Sequence, residues 1–152
     1  MADRIRTRRL TAADLTLARD LFAMMATTFD EEAKPLGEAY LRRLLSREDF
    51  WTIAAFVGEH LAGGLTAHAL PMTRVEAREL FIYDLAVHTS FQRRGVGRAL
   101  VAALTESASA LGVHTVFVPA DDEDAGALEF YRAIGGQASP VTVFTFEPSR
   151  PD

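Results

Sequence analysis

The chain has no cysteine among its 152 residues. Disulfides, thiolate zinc sites and a cysteine nucleophile carrying a covalent acyl intermediate are therefore all closed to it. Any group transfer must be direct unless a serine serves. Long apolar runs are also missing, because charge interrupts the hydrophobic stretches every few residues. The opening MADRIRTRRL lacks the apolar segment of a signal peptide or membrane span. A soluble, cytoplasmic protein with no membrane partner is the expectation. Two phosphate motifs are absent as well: no Gly-Lys-Ser/Thr closes a P-loop, and no set of three spaced glycines follows a first strand. His60, His68, His88 and His114 are too far apart in sequence for a metal site, so no metal is expected. Of these, His88 alone flanks the cleft inferred below.

The formal net charge of -5 argues against a nucleic-acid partner. Arg4, Arg6, Arg8 and Arg9 make the N-terminus locally basic, for which a solvated first strand is the plainer reading. With 49% hydrophobic residues, the chain can build one domain over residues 1–152 and is too short for two ordinary ones. After a short strand, Thr11 and Asp14 have capping-box spacing ahead of a helix whose Leu15, Ala18, Leu21, Phe22 and Met25 share a face. A second helix is predicted from Leu36 to Ser46. Trp51 to Val57 and Leu61 to Leu70 form a hairpin around Gly58-Glu59-His60, with Gly63-Gly64 a candidate bulge. Glu79 to Val87 is a strand, Val96 to Leu111 a helix stopped by Gly112, and Val113 to Val118 a strand. Asp124 to Ile134 is a shorter helix, and Val141 to Phe146 alternates as a closing strand. The order gives an α/β (α+β mixed sheet) fold with about four flanking helices.

Between the strand ending at Val87 and the helix near Gly95 runs His88-Thr89-Ser90-Phe91-Gln92-Arg93-Arg94-Gly95-Val96-Gly97-Arg98. A helix's first turn leaves its N–H groups unpaired and carries about half a positive charge, so consecutive amides can ring a phosphate. Gly95 and Gly97 remove side chains from that approach, and Arg93, Arg94 and Arg98 add charge-assisted donors. Close packing of helix on strand is the alternative use of the glycines.

The stretch resembles the Gln/Arg-x-x-Gly-x-Gly/Ala signature of the GNAT superfamily of N-acetyltransferases, matched at Gln92, Gly95 and Gly97. Tyr83-Asp84-Leu85-Ala86-Val87 is similar to that family's fourth strand, and Ala127 to Gly135 to its fourth helix. The resemblance implies a sheet splayed between strands 4 and 5, with acetyl-CoA in the V. Pantetheine amides would pair to backbone of Leu85, Ala86 and Val87, and the pyrophosphate would meet residues 92–98, Val96 included. Asp124 stands where the family often has an Asn that contacts pantetheine, and Gly136 where an aromatic is usual.

Acetyl transfer to an amine needs a neutral amine, a stabilised oxyanion and a proton for the thiolate. An alkylamine with a pKa near ~10 is mostly protonated at neutral pH, so a carboxylate must accept its proton, directly or through water. Asp84 is placed for this, with Glu79 or the acidic loop as helpers; capping a backbone group or holding a cationic substrate is its alternative. A backbone N–H near Val87 would serve the oxyanion. Tyr131 occupies the position of the family's general acid, and also shares a helical face with Ala127 and Ile134, which leaves a packing role open.

Asp30-Glu31-Glu32 and Asp121-Asp122-Glu123-Asp124 are dense acidic clusters that a polycationic acceptor would answer. Two solvated turns are the alternative. Phe81 to Val87, Ala120-Asp121 and Asp20 to Phe22 resemble the type I aminoglycoside 3-N-acetyltransferases, from about Leu10 to Phe146. That resemblance implies an aminoglycoside acceptor near Tyr83, Asp84, Asp30, Glu31, Glu32, Asp121 and Asp122, and a homodimer. An acetyltransferase for polyamines or protein amines is the competing enzyme, and a non-catalytic acyl-CoA-binding module the competing class.

Overall fold

Thr11 and Asp14 form the reciprocal cap their spacing predicts. In the computed structural model, which describes residues 4–32 and 34–149, the Thr11 amide donates to Asp14 Oδ2 at 2.9 Å and the Ala13 amide to Thr11 Oγ1 at 3.2 Å. One 3-10 turn (Ala12–Asp14) leads into α1 (Leu15–Thr28). The Thr11 amide, with Arg8 beside it, holds the Asp14 carboxyl below its ordinary pKa.

α2 (Glu38–Leu45) begins two residues later than the pattern suggested, after an extended Gly37. The strands are β1 (Ile5–Arg9), β2 (Phe50–Val57), β3 (His60–Pro71), β4 (Arg78–Val87) and β5 (Thr115–Phe117). They form a mixed sheet in sequential order, antiparallel from β1 to β4, with β5 parallel to β4. α3 (Val96–Ala110) links β4 to β5, and α4 (Ala125–Ala133) follows. The chain divides into two compact units, Met1–Pro119 and Ala120–Asp152.

In the first unit the sheet carries a core on each face. Trp51, Ile53, Leu65, Leu80 and Ile82 pack with Val96, Leu100 and Leu104 of α3. Phe50, Ala54 and Ala86 pack on the other face with Leu21 and Met25 of α1. Burying each such large side chain contributes ~1.5–3 kcal/mol. The predicted bulge at Gly63-Gly64 is displaced: the register shift between β2 and β3 leaves Ala62 as the extra residue. The glycines instead admit the helices. A Cβ at Gly64 would lie 2.5 Å from Leu21 Cδ1 of α1, and one at Gly63 would lie 3.0 Å from Val96 Cγ1 of α3, as well as 2.9 Å from the Ala86 carbonyl oxygen of β4.

Most N-terminal arginines have partners within the chain. Arg9 stacks over Trp51 at 4.2 Å, Arg6 over Phe56 at 5.3 Å, and Arg8 bonds Asp14 at 3.0 Å.

One predicted element does not form. Residues 137–149 carry no helix or strand, and Val141, Val143, Phe144 and Phe146 are 75–86% exposed. Alternation specifies which side chains share a face, but a strand exists only when another edge accepts its hydrogen bonds. Among the described residues the sheet ends at β5.

Candidate functional site

The β4–α3 turn owes its shape to two residues with positive φ. Arg93 has φ 62 and Gly95 φ 86, and the space around Gly95 is open, with only Ile5 Cδ1 within 4 Å of where a Cβ would sit. The first α3 hydrogen bond beyond the turn is Ala99 N–H to the Gly95 carbonyl at 3.0 Å. Amides of Val96, Gly97 and Arg98 are thus uncommitted in the first helical turn. Gly97 is buried, while the Arg93, Arg94 and Arg98 side chains are exposed around it. Arg94 lies over the Phe91 ring at 5.5 Å. These groups fit a pyrophosphate: free N–H donors at a positive helix end, no Cβ at Gly95, and three exposed guanidinium groups.

Gln92 has a local partner. Its Nε2 donates to the Val87 carbonyl at 3.1 Å, tying the turn to the end of β4. His88 is likewise structural here, with Nδ1 accepting from the Ser90 amide at 3.1 Å.

β4 parts from β5 early. Among the described residues the two pair only through Glu79, Leu80 and Phe81 with Thr115, Val116 and Phe117, and Ile82 to Val87 have no partner on that side. On the other side the His88 amide donates to the Ala62 carbonyl at 2.8 Å. By strand alternation the N–H groups of Leu85 and Val87 then turn away from β3, into the gap, while Ala86 faces β3. This is a splayed edge with free amides, and it corresponds to the predicted opening between strands 4 and 5.

A bulge shapes the α1 face of the same strand. Thr66 registers with Asp84 but Ala67 with Ile82, so Tyr83 is the extra residue. In a regular strand Tyr83 and Asp84 would face opposite ways; the bulge re-aims Asp84 and sends both toward the α1 face. Leu80 and Ile82 before it, and Leu85 and Val87 after it, belong to the α3 face. Asp84 ends a polar row that crosses the sheet through Thr66 and Thr52, the latter with its Oγ1 buried and unpartnered among the described residues. Burial raises the Asp84 pKa, and the charge of Glu31 raises it further. Asp30, with φ 57, and Glu31 and Glu32 are exposed on the α1–α2 loop. The structure thus brings Asp84, Tyr83 and Glu31 together.

A row of rings accompanies them: Phe50–His68 (5.1 Å), His68–Tyr83 (5.8 Å), Tyr83–Phe81 (5.8 Å) and Phe81–Phe117 (5.2 Å). Sequence reasoning gave Thr66 and His68 no part in the site; register alone sets Thr66 beside Asp84 and His68 beside Phe81. Local pattern carries no signal for them.

In the second unit, Asp124 Oδ1 accepts from the Ala127 amide at 3.0 Å and so caps α4. Asp121 Oδ1 accepts from the Glu123 amide at 2.8 Å, while Asp122 is exposed. Tyr131 is half-buried, 5.0 Å from Phe130, and burial foremost, then Asp124, raises its pKa. The glycine that follows Gly135 has a local reason: a Cβ at Gly136 would lie 2.8 Å from the Tyr131 carbonyl oxygen. Among the described residues no group of three metal-binding side chains converges, and no helix is long and apolar enough to cross a membrane.

The chain belongs to the acetyltransferase (GNAT) family, whose pattern it matches over residues 17–135. It is 32% identical to an aminoglycoside acetyltransferase from an uncultured soil metagenomic sample, with a TM-score of 0.91 covering 96% of this chain and 99% of that one. A second such enzyme from soil, solved in complex with sisomicin, is 29% identical with a TM-score of 0.90, covering 96% and 97%. The [ribosomal protein bS18]-alanine N-acetyltransferase of Salmonella typhimurium is 30% identical over 99 residues, 65% of this chain and 56% of that one. The chain thus matches little more than half the length of this curated relative. The mixed sheet with β4 and β5 parallel, together with four helices, is the GNAT fold.

Proposed function

We propose that the protein is an acetyl-CoA-dependent N-acetyltransferase that modifies a polycationic amine in the cytoplasm. The acceptor is an aminoglycoside, acetylated at the 3-amino group as the resemblance to the type I enzymes implies, and the outcome is resistance to gentamicin-like antibiotics. The observation that carries this reading is Asp84, a carboxylate of raised pKa beside Glu31 at the splayed edge of β4. The similarity to soil enzymes, one of them holding sisomicin, supports the substrate class.

Acetyl-CoA, when bound, supplies the acetyl thioester. Leu85 and Val87 would pair with its amides, and the turn from Gln92 to Arg98 would hold its phosphates. Asp84 removes a proton from the acceptor ammonium, a task for which a raised pKa is suited because the base then retains affinity for the proton near neutral pH. The Val87 N–H, fixed by the strand, donates to the acetyl oxygen as negative charge develops there. Tyr131 gives a proton to the departing thiolate. A phenol is protonated at neutral pH, and burial around Tyr131 only strengthens its hold on the proton. Asp30, Glu32, Asp121 and Asp122 add negative charge for the remaining ammonium groups. Each exposed pair contributes only ~0.2–1 kcal/mol, so a useful affinity needs several at once.

The likeness to the bS18-alanine acetyltransferase favours a second reading, acetylation of a protein N-terminus. A homodimer is also proposed, supported by the uncovered Val141, Val143, Phe144 and Phe146. Sedimentation equilibrium reads it directly, and a monomer at micromolar concentration removes it. For the activity, purified protein with acetyl-CoA is offered sisomicin, gentamicin, spermidine and alanyl peptides, and thiol release is followed. Turnover confined to the peptides would replace the first reading by the second, and turnover of none would leave a CoA-binding module. NMR of the product fixes the acetylated nitrogen.

A further inference from the structure

The Tyr83 ring has a use beyond covering the sheet. It stands nearly perpendicular to His68 (77°) and to Phe81 (80°), cross-strand partners of each other, with each centroid 5.8 Å away. His68 is braced by Phe50, and Phe81 by Phe117 stacked at 23°. A ring that already rests against two neighbours has less rotamer freedom left to lose when something binds. Yet Tyr83 is 63% exposed, in a row whose other members are better covered. The bulge that exposes it also makes it the direct neighbour of Asp84, on the face where Glu31 raises the negative potential.

An aromatic face carries negative quadrupole density and attracts cations within about 6 Å of its centroid, more strongly where water is partly excluded. The surroundings of Tyr83 add the same sign of field from two carboxylates. We infer that the Tyr83 ring is a cation–π subsite that holds an ammonium group of the acceptor beside Asp84, and so selects cationic amines. The inference rests on the proposed acetyltransferase reading and adds to it a determinant of acceptor affinity. Tyr83 makes no bond to the transferred atoms, so its removal weakens binding without slowing the chemical step.

Three variants separate the ring's electrostatics from its bulk. Tyr83→Phe keeps the π face and loses the hydroxyl; Tyr83→Leu keeps an apolar cover and loses the π face; Tyr83→Trp strengthens the face. Titration calorimetry with sisomicin and with spermidine, each in the presence of CoA, requires no turnover. Binding should be within about 2-fold of the parent for Tyr83→Phe and weaker by about 10-fold for Tyr83→Leu, with Tyr83→Trp at least as tight as the parent. In steady-state kinetics the Tyr83→Leu loss should fall on KM, with kcat and its pH profile held. Thermal melting establishes that each variant is folded. Unchanged binding in Tyr83→Leu overturns the subsite, as does an equal loss in Tyr83→Phe, or a fall in kcat with a displaced pH profile. Failure of either polycation to bind the parent protein overturns it too. Parent protein that binds sisomicin but does not acetylate it defeats the functional reading while leaving the subsite standing.

Discussion

The two sides of the β4 edge are built by different means. The proposed cofactor side is local: eleven consecutive residues from His88 to Arg98 contain the turn, its two positive-φ positions, the free amides and the arginines. The proposed acceptor side is assembled across the sheet, from Thr52, Thr66, His68 and Asp84 on three strands and Glu31 on a loop. A local device leaves a signature in sequence, whereas an assembled one depends on register, and a one-residue slip reverses every face. Phosphate-holding turns are also reusable among acceptors, so variation in substrate is expected to collect on the assembled side.

Variants that strike one side and spare the other test this division. The largest effect is expected for Gly95→Asp, which places a carboxylate where phosphate oxygens would lie and a side chain at φ 86. CoA binding by calorimetry should be lost while sisomicin binding persists; retained CoA affinity would contradict the assignment of the turn. Asp84→Asn should do the reverse, lowering kcat/KM by about 10²–10⁴ with CoA affinity unchanged.

The same substitution has a pH-dependent effect on stability. The folded pKa of Asp84 is raised, so ionising it is costlier folded than unfolded. Below about pH 4 the carboxyl is protonated in both states and the variant should match the parent. As pH rises through the folded pKa, the parent takes on a penalty that Asn lacks. Asp84→Asn should therefore melt higher at neutral pH, and equal melting across the range would remove the claim of a perturbed carboxyl.

Next in size is Tyr131→Phe, expected to slow turnover by roughly 10²-fold with binding of both substrates nearly intact. Unchanged turnover would leave Tyr131 a packing residue. The smallest effect belongs to Glu31→Gln. Removing that charge should move the acid limb of the kcat/KM profile to lower pH, because Glu31 is one of two causes raising Asp84. A limb that stays in place would separate the loop from the base.

The legibility of the sequence follows the same division. Helices α1, α3 and α4 were readable from apolar period and caps, since these are properties of neighbours along the chain. The Thr11–Asp14 box and the glycine-arginine turn were readable for the same reason. Asp84 and Tyr83 were singled out by resemblance to a family strand, but their shared face was not readable, because the bulge that creates it is a relation between β3 and β4. The reading of Val141 to Phe146 as a strand failed in the complementary way: the alternation is present and no edge receives it. Gly63 and Gly64 were noticed for the right reason, backbone closeness, and assigned the wrong neighbour, since helices rather than an extra strand residue approach them.

The three-residue pairing between β4 and β5 has a consequence for solution behaviour. An exposed strand edge with free N–H and C=O groups invites another chain to dock against it. A ligand whose amides pair along Leu85 and Val87 would occupy that edge as a surrogate strand, completing the sheet with a piece that is not polypeptide. On that view acetyl-CoA would guard against edge-to-edge association as well as react, and the protein would be best protected when ready to react.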